Sequence, residues 1–201
     1  MPVKHPDNID IVARYGLSRG WNLKSRIVLV EGTTDEALFA LTDKLYFQKT
    51  GIHLLSDDIS IVAAGERDLG GTRGVVRELI TLRGLASTAL SPNGRPIYRT
   101  IALFDNDKMG IGAVSGAKNI DSSIVEYKDV FRLHPIMPLQ GNLDPKTLAR
   151  NFETLNAPFK GLDWEIEDLL FEGFFDSFAA DNPFSVNKQV NRAGFAGGRL
   201  V

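Results

Sequence analysis

The sequence of 201 residues contains no cysteine. This absence excludes disulfides, thiolate metal sites and cysteine nucleophiles, and it fits a reducing compartment such as the cytoplasm. No stretch approaches the roughly 18–20 uninterrupted apolar residues that a membrane span needs. The polar start, MPVKHPDNID, lacks the apolar core of a signal peptide. We therefore expect a cytoplasmic protein that does not enter a membrane.

The sequence also lacks the strong positive charge that is typical of nucleic-acid-binding proteins, since its formal net charge is only −2. The charge is nevertheless unevenly distributed. Residues 1–30 carry five basic and two acidic side chains, and residues 65–100 carry six and three, whereas residues 144–181 carry three and nine. An acidic centre between basic segments suits a polyanionic substrate held around bound cations. An unevenly charged, solvated surface is the alternative.

Apolar, β-branched runs alternate with helical patterns along the chain. The predicted strands are Arg26–Val30, Asp58–Ala64, Ile97–Asp105 and Val130–Leu133. The predicted helices are residues 34–50, 70–85, a short helix within 106–119, 143–152 and 161–178. This order predicts an α/β fold with a parallel sheet of about four strands flanked by helices, and a helical C-terminal extension.

Two of the predicted helices have a recognisable apolar side. In the first helix this side consists of Ala37, Leu38, Leu41, Leu45 and Phe47, which recur at helical spacing. In the second helix it consists of Val75, Val76, Leu79, Ile80 and Leu82.

Acidic side chains follow two of the predicted strands directly. Glu31 comes right after the first strand, with Asp35 four residues further on, and Asp105 and Asp107 stand at the end of the third. Because ligands gather at the carboxyl ends of parallel strands, we expect these side chains to meet. A third acidic group, in the last predicted helix, consists of Glu165, Glu167 and Asp168.

Crowded carboxylates repel one another and raise each other's pKa values, and hard divalent cations remove that cost. Two such ions about 3.5–4 Å apart can activate a water and stabilise a leaving oxygen in phosphodiester cleavage. Each acidic group alone also has an ordinary explanation. Asp-x-Asp is a common sequence, and acidic residues are typical of the first turn of a helix.

The segments IVLVEGTTDEALF and TIALFDNDKMG resemble the Toprim domain of topoisomerases, bacterial primases, recombination-mediator proteins and overcoming-lysogenization-defect (OLD) nucleases. The hallmark of that family is a strand ending in Glu-Gly, followed by a strand ending in Asp-x-Asp, and both are present. The similarity covers residues 24–130 and continues more weakly to residue 175. Within the family, the VEGxxDE and EIE sequences are most similar to OLD-type nucleases and to Toprim proteins of phage-defence systems.

The resemblance implies a Rossmann-like Toprim core at residues 24–135, after an N-terminal segment, 1–23, and before a helical extension, 136–201, that completes the site. It implies one or two Mg²⁺ or Mn²⁺ ions and phosphodiester chemistry in which Glu31 and Asp105 are catalytic. The implied metal ligands are Glu31, Asp35, Asp105, Asp107 and Glu167, with Glu165 as the alternative to Glu167.

Basic side chains near these motifs are candidates for contacts with nucleic acid. Lys108 directly follows the Asp-x-Asp sequence and could contact a phosphate at the catalytic centre. Arg67, Arg73 and Arg77 recur along the second helix and its lead-in, and Lys188 could reach the site from the tail. A solvated surface is the alternative for each of them.

Hydrolysis is the simplest complete activity for this site, because it needs only metal ions and a water. Topoisomerases need a nucleophilic tyrosine on another domain, and the four tyrosines stand in no such context. Primases usually need a zinc-binding domain, which a chain without cysteine lacks. The expected function is therefore an Mg²⁺- or Mn²⁺-dependent endonuclease acting on DNA or RNA. The alternatives are a non-catalytic Toprim assembly or sensor subunit, and a primase-like nucleotidyl transferase.

OLD-type nucleases carry an ATPase domain, and this sequence contains no Gly-x-x-x-x-Gly-Lys-Ser/Thr phosphate loop. ATP control in an anti-phage defence system would therefore need a separate ATPase subunit. A homo-oligomer is a further expectation. The last residues, NRAGFAGGRLV, are either a frayed tail or the cut end of a longer protein.

Overall fold

The structure of the protein is a computed structural model that describes residues 10–65 and 71–169, apart from the side chain of Glu167. Its contacts divide the chain into two units, Met1–Ile166 and Glu167–Val201, and nearly all described residues belong to the first. Within the described residues, every helix is too short or too polar to cross a lipid bilayer. The domain boundaries predicted at residues 23 and 135 stay predictions.

A four-stranded parallel sheet forms the centre of the first unit. Its strands are β1 (Arg26–Val30), β2 (Ile59–Ala63), β3 (Arg99–Phe104) and β4 (Val130–Arg132), in the order β2-β1-β3-β4. All three neighbouring pairs are parallel. The strands are rich in Val, Ile, Leu and Ala because helices cover a parallel sheet on both faces. The predicted α/β fold with a four-stranded parallel sheet is therefore confirmed.

Five α-helices accompany the sheet in the described residues. They are α1 (Ile11–Ser18), α2 (Thr33–Thr50), α3 (Thr72–Ala86), α4 (Lys108–Ile120) and α5 (Pro145–Leu155). Helices α2, α3 and α4 are the crossovers between successive strands. Right-handed crossovers in this strand order place α3 and α4 on one face of the sheet and α2 on the other. Direct packing of α3 against α4 agrees with this arrangement.

Helix α3 supplies the apolar side that the sequence predicts. Val75, Leu79 and Leu82 are fully buried and belong to the main core cluster, together with Leu29 of β1 and Phe104 of β3. Full burial of such side chains is worth about 1.5–3 kcal/mol each, so the contact between α3 and the sheet is a major source of stability.

Helix α1 lies in the segment for which no element was predicted. It begins at Asp10, whose Oδ1 accepts a hydrogen bond from the backbone N–H of Ala13 (3.0 Å). Its contact with α3 is built around Glu78, whose side chain is only 1% exposed. The Tyr15 hydroxyl donates to Glu78 (2.5 Å), and the guanidinium of Arg19 lies 3.4 Å from the same carboxylate. A buried charge thus joins the two helices.

The apolar side of α2 is exposed for most of its length. Leu41, Leu45 and Phe47 are 43%, 55% and 42% exposed, and Ala37 is exposed as well. Of that predicted face, only Leu38 is half-buried, and it packs with its neighbour Phe39. The reason is geometric. An 18-residue helix is about 27 Å long, whereas a five-residue strand spans about 17 Å, so α2 extends beyond the sheet.

Leu38 and Phe39 contact a second apolar cluster, formed by Leu133, Trp164 and Ile166. Trp164 and Ile166 of this cluster lie within the region predicted as a helix over residues 161–178, and that prediction is wrong in its first turn. Residues 162–165 are not helical, and residues 166–169 form a short 3₁₀ turn. The rest of the predicted helix lies outside the described residues. Helix α5 is as predicted, with Asp144 accepting from Lys146 and Thr147 at its start.

Candidate metal centre

Glu31 stands at the carboxyl end of β1, at the edge of the sheet where β3 also ends. The side chain is half-buried. Its Oε1 accepts a hydrogen bond from the backbone N–H of Asp105 at 3.3 Å. Because β1 and β3 are neighbours in the sheet, the two strand ends that carry acidic motifs meet directly.

Asp35 lies in the first turn of α2 and folds back onto the end of β1. Its Oδ2 accepts hydrogen bonds from the backbone N–H groups of Glu31 (3.1 Å) and Gly32 (2.9 Å). Gly32 is the residue at which α2 begins, and Asp35 completes the cap. The carboxylate thus fixes the turn that carries Glu31.

Asp107 plays the corresponding part at the start of α4. Its Oδ1 accepts from the backbone N–H of Gly110 at 2.6 Å. A Cβ on Gly110 would lie 2.0 Å from the carbonyl oxygen of Asp105. Only glycine at this position lets α4 begin so close to the loop formed by residues 105–107.

Three residues that the sequence analysis missed hold this loop in place. The backbone N–H of Asn106 donates to the carbonyl of Trp164 (2.8 Å), and the N–H of Trp164 donates back to Asn106 (3.3 Å). Nη1 of Arg132 donates to Oδ1 of Asn106 (2.7 Å). Arg132 ends β4, so the rule that sites form at strand ends could have found it. The link to Trp164 leaves no recognisable signal in the sequence.

The pairing of Trp164 with Asn106 also brings a downstream acid near Glu31. Glu165 follows Trp164 directly, is exposed, and acts on Glu31 through its negative charge. Glu167 was the first choice on the family resemblance, and its side chain lies outside the described residues. Glu165, named as the alternative, lies close enough to this edge to act on Glu31, and the choice between the two stays a prediction.

The pKa of the Glu31 carboxyl is raised above its usual value. Burial is the largest cause, and the negative charges of Asp107, Asp35 and Glu165 act in the same direction. The N–H of Asp105 opposes the shift by hydrogen-bonding to the charged form. Glu31 is thus held where its own charge is disfavoured.

Three of the basic residues predicted to contact nucleic acid belong to the described residues, and they lie beside this edge of the sheet. Lys108, Arg73 and Arg77 line a groove between α3 and α4. Arg77 also forms an ion pair with Glu78, with Nη2 and Oε1 2.9 Å apart. Arg67 and Lys188 lie outside the described residues.

The donor atoms at this edge are carboxylate oxygens, which are the ligands that Mg²⁺ and Mn²⁺ prefer. A divalent cation would offset the like charges around Glu31, so the residues fit such an ion in kind. Within residues 10–65 and 71–169, no group of three Asp, Glu or His side chains is already arranged to hold a metal. Asp35 and Asp107 each turn one oxygen towards backbone N–H groups instead.

Comparison of the chain with protein-family models, with curated proteins and with solved structures finds no significant match in any of the three.

Proposed function

We propose that this protein is an Mg²⁺- or Mn²⁺-dependent nuclease that hydrolyses phosphodiester bonds of DNA or RNA. The observation that carries the proposal is the meeting of Glu31 with the loop of Asp105 and Asp107 at one edge of a parallel sheet. Glu165 joins them from a segment far along the chain. Such an edge is where α/β proteins bind their ligands. The Toprim resemblance of the two strand-end motifs points to the same chemistry.

The residues that would hold the metal are Glu31, Asp35, Asp105, Asp107 and Glu165. When bound, the ion supplies an activated water and stabilises the developing charge on the phosphate and the leaving oxygen. Glu31 is the central ligand, because burial and, after it, the nearby negative charges raise the pKa of its carboxyl, and a bound cation would offset both effects. Asn106 and Arg132 keep the Asp105 loop in position, and Lys108 and Arg73 lie where they can contact substrate phosphates.

A specific observation favours a second candidate, a Toprim-like module without catalysis. The carboxylates of Asp35 and Asp107 serve as helix caps, and the described residues contain no ready-made group of three ligands. In that function the acidic edge stabilises the fold, and the chain acts as an assembly or sensor subunit.

The deciding experiment is cleavage of plasmid DNA, single-stranded DNA and RNA by the purified chain with Mg²⁺ or Mn²⁺. We expect cleavage that chelation abolishes. Glu31→Ala and Asp105→Ala should each lower the rate by at least about 100-fold, since even outer partners of a metal site are worth about 10–100-fold. Asp57→Ala is the matched control, because Asp57 is exposed and precedes β2 at the opposite edge of the sheet.

Two outcomes would reject the proposal. Cleavage that survives both site substitutions would mean that the activity lies elsewhere or in a contaminant. Absence of cleavage with every metal and substrate would favour the non-catalytic module. Incorporation of a labelled nucleotide would indicate a nucleotidyl transferase instead.

The proposed setting is anti-phage defence in the cytoplasm, with a separate ATPase subunit. The similarity of VEGxxDE and EIE to defence-associated Toprim proteins is what supports it. This setting predicts that cleavage by the chain alone is independent of ATP.

A further inference from the structure

A groove of about 600 Å³ runs between α3 and α4. Its floor is apolar and includes Val76 and Ala113, which are buried, and Ile80, which is half-buried. Three basic side chains line it, those of Arg73, Arg77 and Lys108, and the lining residues include no acid. The groove therefore offers a ligand an apolar surface at its floor and only positive charge at its border.

The groove begins beside the candidate metal centre. Thr72 and Lys108, the first residues of α3 and α4, both line it. Lys108 directly follows Asp107, and a Cβ on Gly71, the residue before Thr72, would lie 3.8 Å from Oε2 of Glu31. A chain bound in the groove would therefore run directly onto the carboxylates.

The basic border is available for anions. Arg73 and Lys108 are exposed, and neither forms an ion pair with an acidic residue in the described part of the chain. Arg77 is paired with Glu78, yet its side chain is 48% exposed. Three cations beside a path that ends at the metal centre match a ligand with repeated negative charges.

Two glycines of α4 line the groove without being required by their neighbours among residues 10–65 and 71–169. Gly112 and Gly116 lie one turn apart in α4, and a Cβ on either would meet no atom within 4 Å. Glycine inside a helix costs about 1 kcal/mol relative to alanine. Packing within the described part of the chain therefore gives no reason for these glycines, whereas close approach of a ligand to the helix backbone does.

We propose that this groove binds an unpaired nucleic-acid strand and leads it to the metal centre. This inference rests on the proposed nuclease function and names its substrate class. The basic border suits phosphates, and the apolar floor suits the faces of bases and sugars. In a duplex those base faces are stacked inside, so a duplex has little apolar surface to offer. Single-strand-binding proteins likewise combine a basic groove with surfaces that contact bases.

The test is a binding titration by fluorescence anisotropy without divalent metal, so that no cleavage occurs. The probes are a short labelled single strand and the duplex of the same sequence. We expect the single strand to bind more tightly. Gly112→Leu and Gly116→Leu, which fill the groove, should each weaken single-strand binding by about tenfold or more, the loss of about one base contact. Arg73→Glu should weaken single-strand binding too. It should also reduce the steepness of the plot of log binding constant against log salt concentration by about 0.7 or more.

Matched controls lie outside the groove. Gly84 is a glycine of α3 whose Cβ would also meet no atom within 4 Å, and it does not line the groove. Gly84→Leu should bind as the wild type does. Arg95→Glu, in an exposed loop, controls for the charge change at Arg73. Circular dichroism of each variant checks that it is folded, and Arg73→Glu, which changes no glycine, is available should the leucine variants unfold.

The outcomes separate this inference from the function on which it rests. Wild-type cleavage together with unchanged single-strand binding by folded Gly112→Leu and Arg73→Glu would overturn the inference and leave the nuclease proposal standing. Tighter binding of the duplex would overturn it as well. Loss of all cleavage and binding by the wild type would reject both. An acidic amphipathic peptide that binds the wild type and not Gly112→Leu, while oligonucleotides bind both equally, would make the groove a protein-docking site.

Discussion

Glu31 illustrates how a functional residue can lower the stability of the fold that carries it. Its carboxyl is half-buried, and three other acids act on it through their charges. Both effects raise its pKa, so the folded state binds the Glu31 proton more tightly than the unfolded chain does. As the pH rises through the range between the two pKa values, deprotonation therefore costs folding free energy. Above both pKa values and without metal, that cost is fully present.

Replacing Glu31 with glutamine should consequently stabilise the metal-free protein at neutral pH. Glutamine keeps an oxygen that can accept from the N–H of Asp105 and removes the charge. We expect the melting temperature in chelator to rise by a few degrees, since about 1 kcal/mol corresponds to about 2–4 °C for a domain of this size. Differential scanning calorimetry at pH 7.5 measures it.

The same pair of proteins tests the metal centre without any activity assay. Added Mg²⁺ or Mn²⁺ should raise the melting temperature of the wild type and have much less effect on Glu31→Gln. Glu153→Gln, an exposed acid on α5, should respond to metal as the wild type does. A variant that is less stable than the wild type in chelator would contradict this account of Glu31.

At the scale of single residues, strand-end position was the informative signal. It was enough to select Glu31 and Asp105, because both motifs directly follow apolar runs. It did not show that Asp35 and Asp107 would each use a carboxylate oxygen to accept capping hydrogen bonds from backbone N–H groups. Acidic metal ligands and acidic helix caps occupy the same positions in a sequence. The main-chain pairing of Trp164 that brings Glu165 near Glu31 is likewise encoded by no local pattern.

At the scale of secondary-structure elements, the two halves of α2 differ in how far their apolar side chains are covered. Its N-terminal half carries Leu38 and Phe39 against Trp164 and its neighbours, and its C-terminal half extends past the sheet with its apolar residues exposed. Periodicity showed that an apolar face exists. It could not show what covers that face, because the length of the neighbouring strands sets how far the cover extends.

Two substitutions on this face should therefore have different effects. Leu45→Lys should change the free energy of unfolding by less than about 0.5 kcal/mol, as surface substitutions usually do. Leu38→Lys should cost about 1–3 kcal/mol, because it places a charge against an apolar cluster. Leucine and lysine have similar helix propensities, so the comparison isolates burial. Urea unfolding of both variants measures it, and equal losses would show that the two halves are covered alike.

At the scale of the whole molecule, the free energy of unfolding should fall in mild acid, and the cause can be assigned to one residue, His134. The ring of His134 is tilted against that of Phe152 with ring centroids 5.2 Å apart, and its Nε2 has no hydrogen-bond partner among the described residues. Burial, aided by the positive charge of Arg132 and opposed by the negative charge of Glu126, lowers the pKa of His134 to about 4. Below pH 6.5 the unfolded chain therefore takes up a proton that the folded state resists.

The stability contributed by neutral His134 should be present above about pH 6.5 and be lost progressively as the pH falls towards 4. We expect a loss of about 1–2 kcal/mol, below the full shift because the side chain is only half-buried. His134→Gln cannot take up this proton, so its melting temperature should fall less than that of the wild type between pH 7.5 and pH 4.5. Parallel declines in the two proteins would place the acid sensitivity elsewhere.

The two main-chain hydrogen bonds between Asn106 and Trp164 have a practical consequence for anyone who shortens this protein. A chain cut soon after β4 would keep the four strands of the described sheet and the Glu-Gly and Asp-x-Asp signatures. It would nevertheless free both backbone groups of Asn106, uncover Leu38 and Phe39, and remove Glu165. The smallest fragment worth expressing for study of the acidic edge therefore extends at least to Ile166, some 30 residues beyond the end that motif boundaries alone recommend.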